Sequence, residues 1–165
     1  MRPTRWIIPI AIAVSSVMTV ANTAIAQAKK GEAKKGEAKS EKALTWMAAP
    51  DAFPAGAKMA VERGDPMKKG EFTIRLSLPA DYKIPPHWHP SAEHVRIVSG
   101  AFLVGMGDAL DAAKTKKLAA GDTGTIGAKM HHFAIAPVAT EISVRAEGPF
   151  AITYVNPADD PRKKH

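Results

Sequence analysis

The chain has no cysteine among its 165 residues. That excludes disulfides, thiol nucleophiles, thiolate metal ligands and iron–sulfur clusters, so any bound metal must be held by nitrogen and oxygen. Beyond residue 43 it also lacks a helical pattern of useful length. Thirteen prolines and twelve glycines are spread among short apolar runs, a pattern that favours short strands and turns. A basic domain is missing as well, although the net charge is +7. Residues 1–43 hold eight Lys/Arg against three Asp/Glu, whereas residues 44–165 hold fifteen against thirteen. The basic character therefore belongs to the N-terminal part, and a nucleic-acid partner is not expected.

What is present begins with MRPTRWIIPIAIAVSSVMTVANTAIAQA. Arg2 and Arg5 precede an uncharged, mostly apolar run that ends in Ala24-Ile25-Ala26, a small-x-small pattern. This predicts a secretory signal peptide over residues 1–26, cleaved after Ala26, and a periplasmic or secreted mature protein with no stable membrane insertion. Without a twin-arginine pair, the general secretory route is the simpler expectation. The alternative is a retained anchor, because the uncharged run from Trp6 to Ala28 is long enough to span a bilayer. Residues 27–43 contain KKGEA twice in tandem. They are too poor in apolar residues to offset the cost of ordering and read as a solvated tether. The remainder, residues 44–165, has the length of one domain, and a 45% hydrophobic content supports an ordinary core.

Within that domain EFTIRLSLP alternates, with Phe72, Ile74, Leu76 and Leu78 on one face and Thr73, Arg75 and Ser77 on the other. EHVRIVSG is a second strand, and AFLVGMG follows Gly100 directly, which predicts a tight hairpin there. Residues 107–121 read as a polar excursion with one helical turn. GDTGTIG, HHFAIAP, TEISVRAEG and PFAITYVNP supply further short strands. Many short strands at close spacing predict an all-β, closed or two-sheet antiparallel barrel.

Three of the six histidines fall in PPHWHPSAEHVRIVSG, residues 85–100. On an extended segment His87 and His89 face the same way, and Glu93 is an even step further on. Unless a bulge intervenes, His87, His89, Glu93, Val95 and Ile97 share one face. Two imidazoles and a carboxylate on an apolar face are costly to bury unless something satisfies them, and a divalent cation does so. Of the adjacent pair His131 and His132, only one can join this group. His132 shares its face with Ala134 and Ala136, which leave room for a ligand, whereas His131 goes with Phe133 and Ile135. The expected metal ligands are therefore His87, His89, Glu93 and His132. His94, Trp88 and His131 are expected to face elsewhere, and Arg75, Arg96 and Arg145 to face outward. Three imidazoles and one carboxylate suit one divalent transition metal (Mn, Fe, Zn, Ni, Co or Cu) and leave open positions on a six-coordinate ion.

These residues resemble the cupin superfamily. Its first motif, G-x5-H-x-H-x3,4-E-x6-G, is matched by His87, His89, Glu93 and Gly100, with Asp81 at the initial glycine position. Its second, G-x5-P-x-G-x2-H-x3-N, is matched at Gly121 and His132 and departs at Gly127, Lys129 and Ala136. Lysine in place of glycine alters the loop if that position needs a positive φ. The stretch from Trp46 to Arg162, with GAKMAVERGDP, MHHFA and FAITYVNPADDPR, is similar to small exported bacterial single-domain cupins. The resemblance implies a small antiparallel jelly-roll β-barrel with an internal metal, a homodimer, and the same four ligands. It does not choose among chemistries. Three functions remain open: a metal-dependent, oxygenase-like enzyme acting on a small organic molecule; a non-catalytic periplasmic module that binds or senses a small ligand through its metal; and a purely stabilising metal clip.

Overall fold

Eleven strands and three 3-10 turns make up the regular structure of residues 43–163, the part of the chain that the computed structural model describes. The segment read as a signal peptide and all but the last residue of the tether lie outside the described residues. In chain order the strands are β1 (Met47–Ala48), β2 (Lys58–Arg63), β3 (Gly70–Leu78), β4 (Tyr82–Trp88), β5 (Glu93–Ser99) and β6 (Ala101–Met106). They continue with β7 (Thr115–Ala119), β8 (Thr123–Ile126), β9 (His132–Ala136), β10 (Thr140–Gly148) and β11 (Thr153–Tyr154). Every pairing is antiparallel. One sheet has the order β1-β2-β3-β10-β5-β8 and the other β11-β4-β9-β6-β7. Neither sheet closes on itself, so the expected jelly roll is a two-sheet sandwich rather than a closed barrel. Among the described residues no helix is long and apolar enough to cross a membrane.

The alternation in β3 decides where the core lies. Phe72, Ile74, Leu76 and Leu78 are all buried and belong to the main core cluster. β10 pairs with β3 over nine consecutive positions and adds Ile142, Val144 and Ala146 to the same cluster. Each of the larger side chains among these contributes about 1.5–3 kcal/mol by leaving water. The outer face of this sheet is polar, as the parity required. Arg75 nevertheless becomes 8% exposed there, because Glu62 and Glu141 flank its guanidinium from the neighbouring strands.

Two sequence expectations need correction. Gly100 is not the turn of a hairpin, because β5 belongs to one sheet and β6 to the other. Gly100 has φ of +80° and lies against Ala139 and Thr140, where a Cβ would approach the Ala139 oxygen to 2.5 Å. The Thr140 hydroxyl accepts from the Ala101 amide, and the chain turns the corner between sheets at this point. The second correction concerns the polar excursion. After a 3-10 turn at Ala112–Lys114 it supplies strand β7, which pairs with β6 through Leu118 and Phe102.

Candidate metal centre

His87, His89 and Glu93 do not lie on a single strand. His87 is in β4, His89 follows the end of that strand, and Glu93 opens β5 in the opposite sheet. Pro90 begins the crossover between them, and a proline cannot donate to a ladder. The pairing of β4 with β9 shifts register between Ile84 and His87, across Pro85 and Pro86. This bulge sets His87 directly opposite His132. Ile84 and His87 can then both face inward although they are an odd number of residues apart.

All four side chains predicted from the sequence converge inside the sandwich, and all four are buried. The ring centroids of His87 and His132 are 4.2 Å apart, those of His87 and His89 4.9 Å, and those of His89 and His132 5.3 Å. One nitrogen from each of the three rings lies within 4.8 Å of the others. Glu93 reaches His132 Nε2 through Oε1 at 3.0 Å and His89 Nε2 through Oε2 at 3.6 Å.

The far side of each ring fixes its tautomer. His87 Nδ1 lies 2.7 Å from the Pro85 carbonyl, His89 Nδ1 2.8 Å from that of Ala151, and His132 Nδ1 2.9 Å from that of Met130. A carbonyl oxygen only accepts, so each Nδ1 carries the proton and donates it. Each neutral ring then presents a bare Nε2 lone pair, the arrangement found where histidine binds a metal. His132 Nε2 and Glu93 Oε1 are thus two acceptors at 3.0 Å, which repel unless a proton or a cation lies between them. One proton relieves one such contact. A divalent cation satisfies the three lone pairs together, and Glu93, within 3.6 Å of the Nε2 atoms of two of the rings, adds a negative charge beside them, so the residues present fit a metal.

Charge states agree with this fit. Burial, reinforced by His132 and His89, pushes the pKa of His87 down to about 3. Burial also lowers that of His89, against the pull of Glu93 and the Ala151 carbonyl. For Glu93 burial alone would raise the value, but a proton on His132 Nε2 bonded to Oε1, and the positive charge of the surrounding imidazoles when protonated, leave it below the ordinary carboxylate range when no cation is bound. Neutral imidazoles and an ionised carboxylate are the forms that coordinate metals.

The cavity in front of the Nε2 atoms has a volume of about 30 Å³. Apart from the four proposed ligands its walls are apolar, among them Phe53, Phe102, Val95, Val144 and Phe150. Phe150 stacks on the His89 ring at 4.9 Å and meets Phe72 edge-on and Phe53 face-on. His94 and His131 go where parity placed them. His94 bonds the Thr125 hydroxyl at 2.9 Å on the outer face, and His131 pairs with Asp108 at 2.6 Å on the surface. Trp88 is half-buried opposite Thr153 and does not line the cavity. The sequence did not point to Phe53, Phe150 or the three orienting carbonyls. A carbonyl has no residue-type signature, and Ala151 is 62 positions from the ring it orients.

No family model and no curated protein matches the chain. Solved structures do. A proposed acetylacetone dioxygenase from Methylibium petroleiphilum PM1 aligns with a TM-score of 0.55 and 20% identity, covering 90% of each chain. The polyketide cyclase RemF from Streptomyces resistomycificus aligns with a TM-score of 0.54 and 15% identity, over 64% of this chain and 75% of its own. An RmlC-like cupin from Shewanella frigidimarina aligns with a TM-score of 0.47 and 18% identity, over 56% of this chain and 76% of its own. The matching structures are cupin-type proteins, and the chain has the cupin jelly-roll fold.

Proposed function

We propose that His87, His89, Glu93 and His132 bind one divalent transition metal, and that the protein is an oxygenase-like enzyme acting on a small organic molecule held at the open positions. The observation that carries this reading is the set of three Nδ1–carbonyl bonds, which leave three Nε2 lone pairs free beside one another, two of them close to the Glu93 carboxylate. When bound, such an ion supplies Lewis acidity or redox chemistry. The protein's own groups do the rest. The Pro85, Ala151 and Met130 carbonyls hold the rings in orientation. Phe53 and Phe150 keep bulk water from the Nε2 atoms. Glu93 is the one carboxylate in the cavity, and its Oε2, the oxygen farther from an imidazole, is the place to accept a proton. Metal analysis of the purified protein tests the reading. About one equivalent is expected, with loss in His87→Ala and His132→Ala; unchanged metal content in both variants overturns it.

A second reading is a non-catalytic module that binds or senses a small ligand through the same ion. It is favoured by the apolar lining, which offers no acid–base pair beyond the four proposed ligands. Ligand binding without turnover across a substrate panel would select it. In either case the reading includes export, supported by the basic start, apolar run and Ala24-Ile25-Ala26 of the sequence. The N-terminus of protein recovered from periplasm or medium should then be Gln27.

A further inference from the structure

Two cavities meet at one side chain. The inner one, about 30 Å³, contains the histidine Nε2 atoms and is too small to take an organic molecule without movement. The outer one is a groove of about 600 Å³ between the 48–57 segment, the outward side of β4 and the C-terminal turns at Asp159 and Pro161. Along β4 the strand itself separates the two, with Lys83 and Pro85 facing the groove and Ile84 the inner cavity. Phe53 alone lines both cavities. At that point the partition is a side chain.

Apart from His89 and Phe150, which lie between strands and stack on each other, the other walls of the inner cavity are paired strands, and opening them would break a ladder. The segment that carries Phe53 is different. It closes on itself through Ala49 N–H to Ala57 O at 3.0 Å and Phe53 N–H to Pro50 O at 2.8 Å. On either side of Phe53 it is held to the body by a tyrosine hydroxyl: Tyr154 donates to Ala52 O at 2.8 Å and Tyr82 to Pro54 O. The Phe53 ring stacks on Phe150 at 6.3 Å, and Phe150 in turn lies on His89. Phe53 lies outside every strand, so a movement of this ring need not break a strand pair.

We propose that Phe53 is the size-limiting gate of the metal centre. Ligands reach the open positions from the groove, past this ring, and the ring sets the largest molecule that fits. Resting on the metal reading above, this deepens it to a substrate class: a compact, largely apolar molecule with one donor group for the metal.

The test uses Co2+-loaded protein, whose visible spectrum responds to a new ligand, with imidazole and 4-phenylimidazole as probes. They present the same donor atom at different sizes. In the wild type, 4-phenylimidazole should bind about tenfold more weakly than imidazole or worse. Phe53→Ala should abolish or reverse that ratio, and Phe53→Leu, which keeps an apolar side chain, should fall between. Ala55→Trp, which places bulk in the groove and outside the inner cavity, should slow imidazole association in stopped flow without changing its equilibrium affinity. A size ratio that is the same in the wild type and in either folded Phe53 variant overturns the gate alone. An unchanged association rate in Ala55→Trp overturns the route through the groove. Failure of Co2+ to bind at all overturns the metal reading, and the gate with it.

Discussion

β3 and β10 run side by side for nine positions without a break, whereas β4 and β9, in the other sheet, lose register between Ile84 and His87. The first pair is built of residues that suit a half-buried pleat, with Phe72, Ile74 and Leu76 facing Ile142, Val144 and Ala146 across the ladder. The second contains Pro85 and Pro86, which have no N–H to give a neighbour. The interruption is what sets His87 opposite His132 and leaves both Nε2 atoms in the cavity. One pair supplies apolar burial, and the other gives up regular pairing so that polar side chains can meet. The regular pair thus serves burial, while two of the four proposed ligands come from the interrupted pair, His89 from just beyond it and Glu93 from β5 in the opposite sheet.

That division can be broken or sharpened by substitution. Phe72→Ala empties a fully buried ring position in β3. It should cost about 3–5 kcal/mol in urea denaturation and leave the metal stoichiometry of the folded protein unchanged. Joint loss of metal and stability would break the comparison. Gly100→Ala, at the corner between the sheets, should cost roughly 2 kcal/mol, because φ is +80° and the new Cβ meets the Ala139 oxygen. His132→Gln in β9 should change the stability of the metal-free protein by less than about 1 kcal/mol while removing stoichiometric metal. The smallest effect is expected at Lys129, which has φ of +59°. Lys129→Gly should raise stability by roughly 0.5–1 kcal/mol by relieving that strain, read as a shift in the urea midpoint.

Lys129 also shows what the sequence made legible. Both positions where glycine of the cupin motifs is replaced, Asp81 and Lys129, take a left-handed backbone with φ near +60°. The turn geometry survives the substitutions, and the Lys129 amide still donates to the His89 carbonyl. Strand parity is a local property, so His132 separates from His131 and Glu93 from His94 without knowledge of the fold; the single strand face expected for His87, His89 and Glu93 did not hold, because β4 is interrupted at Pro85 and Pro86 and Glu93 opens a strand of the other sheet. Gly100 was misread for the complementary reason. A glycine with positive φ says that the chain bends, but not whether the next strand pairs with the last one or joins the other sheet. Phe53, Phe150 and the Ala151 carbonyl were illegible because each meets the site only through contacts distant in sequence. The Arg75 environment was half legible: parity gave its face, while its burial depends on Glu62 and Glu141 from two other strands.

The central claim is that three carbonyl-oriented imidazoles and Glu93 form one metal site. Elemental analysis of the purified protein, alongside His132→Gln prepared identically, addresses it most directly. The account predicts about one equivalent of a first-row transition metal in the wild type and none in the variant. A wild type free of metal, or a variant that retains the full equivalent, would contradict it.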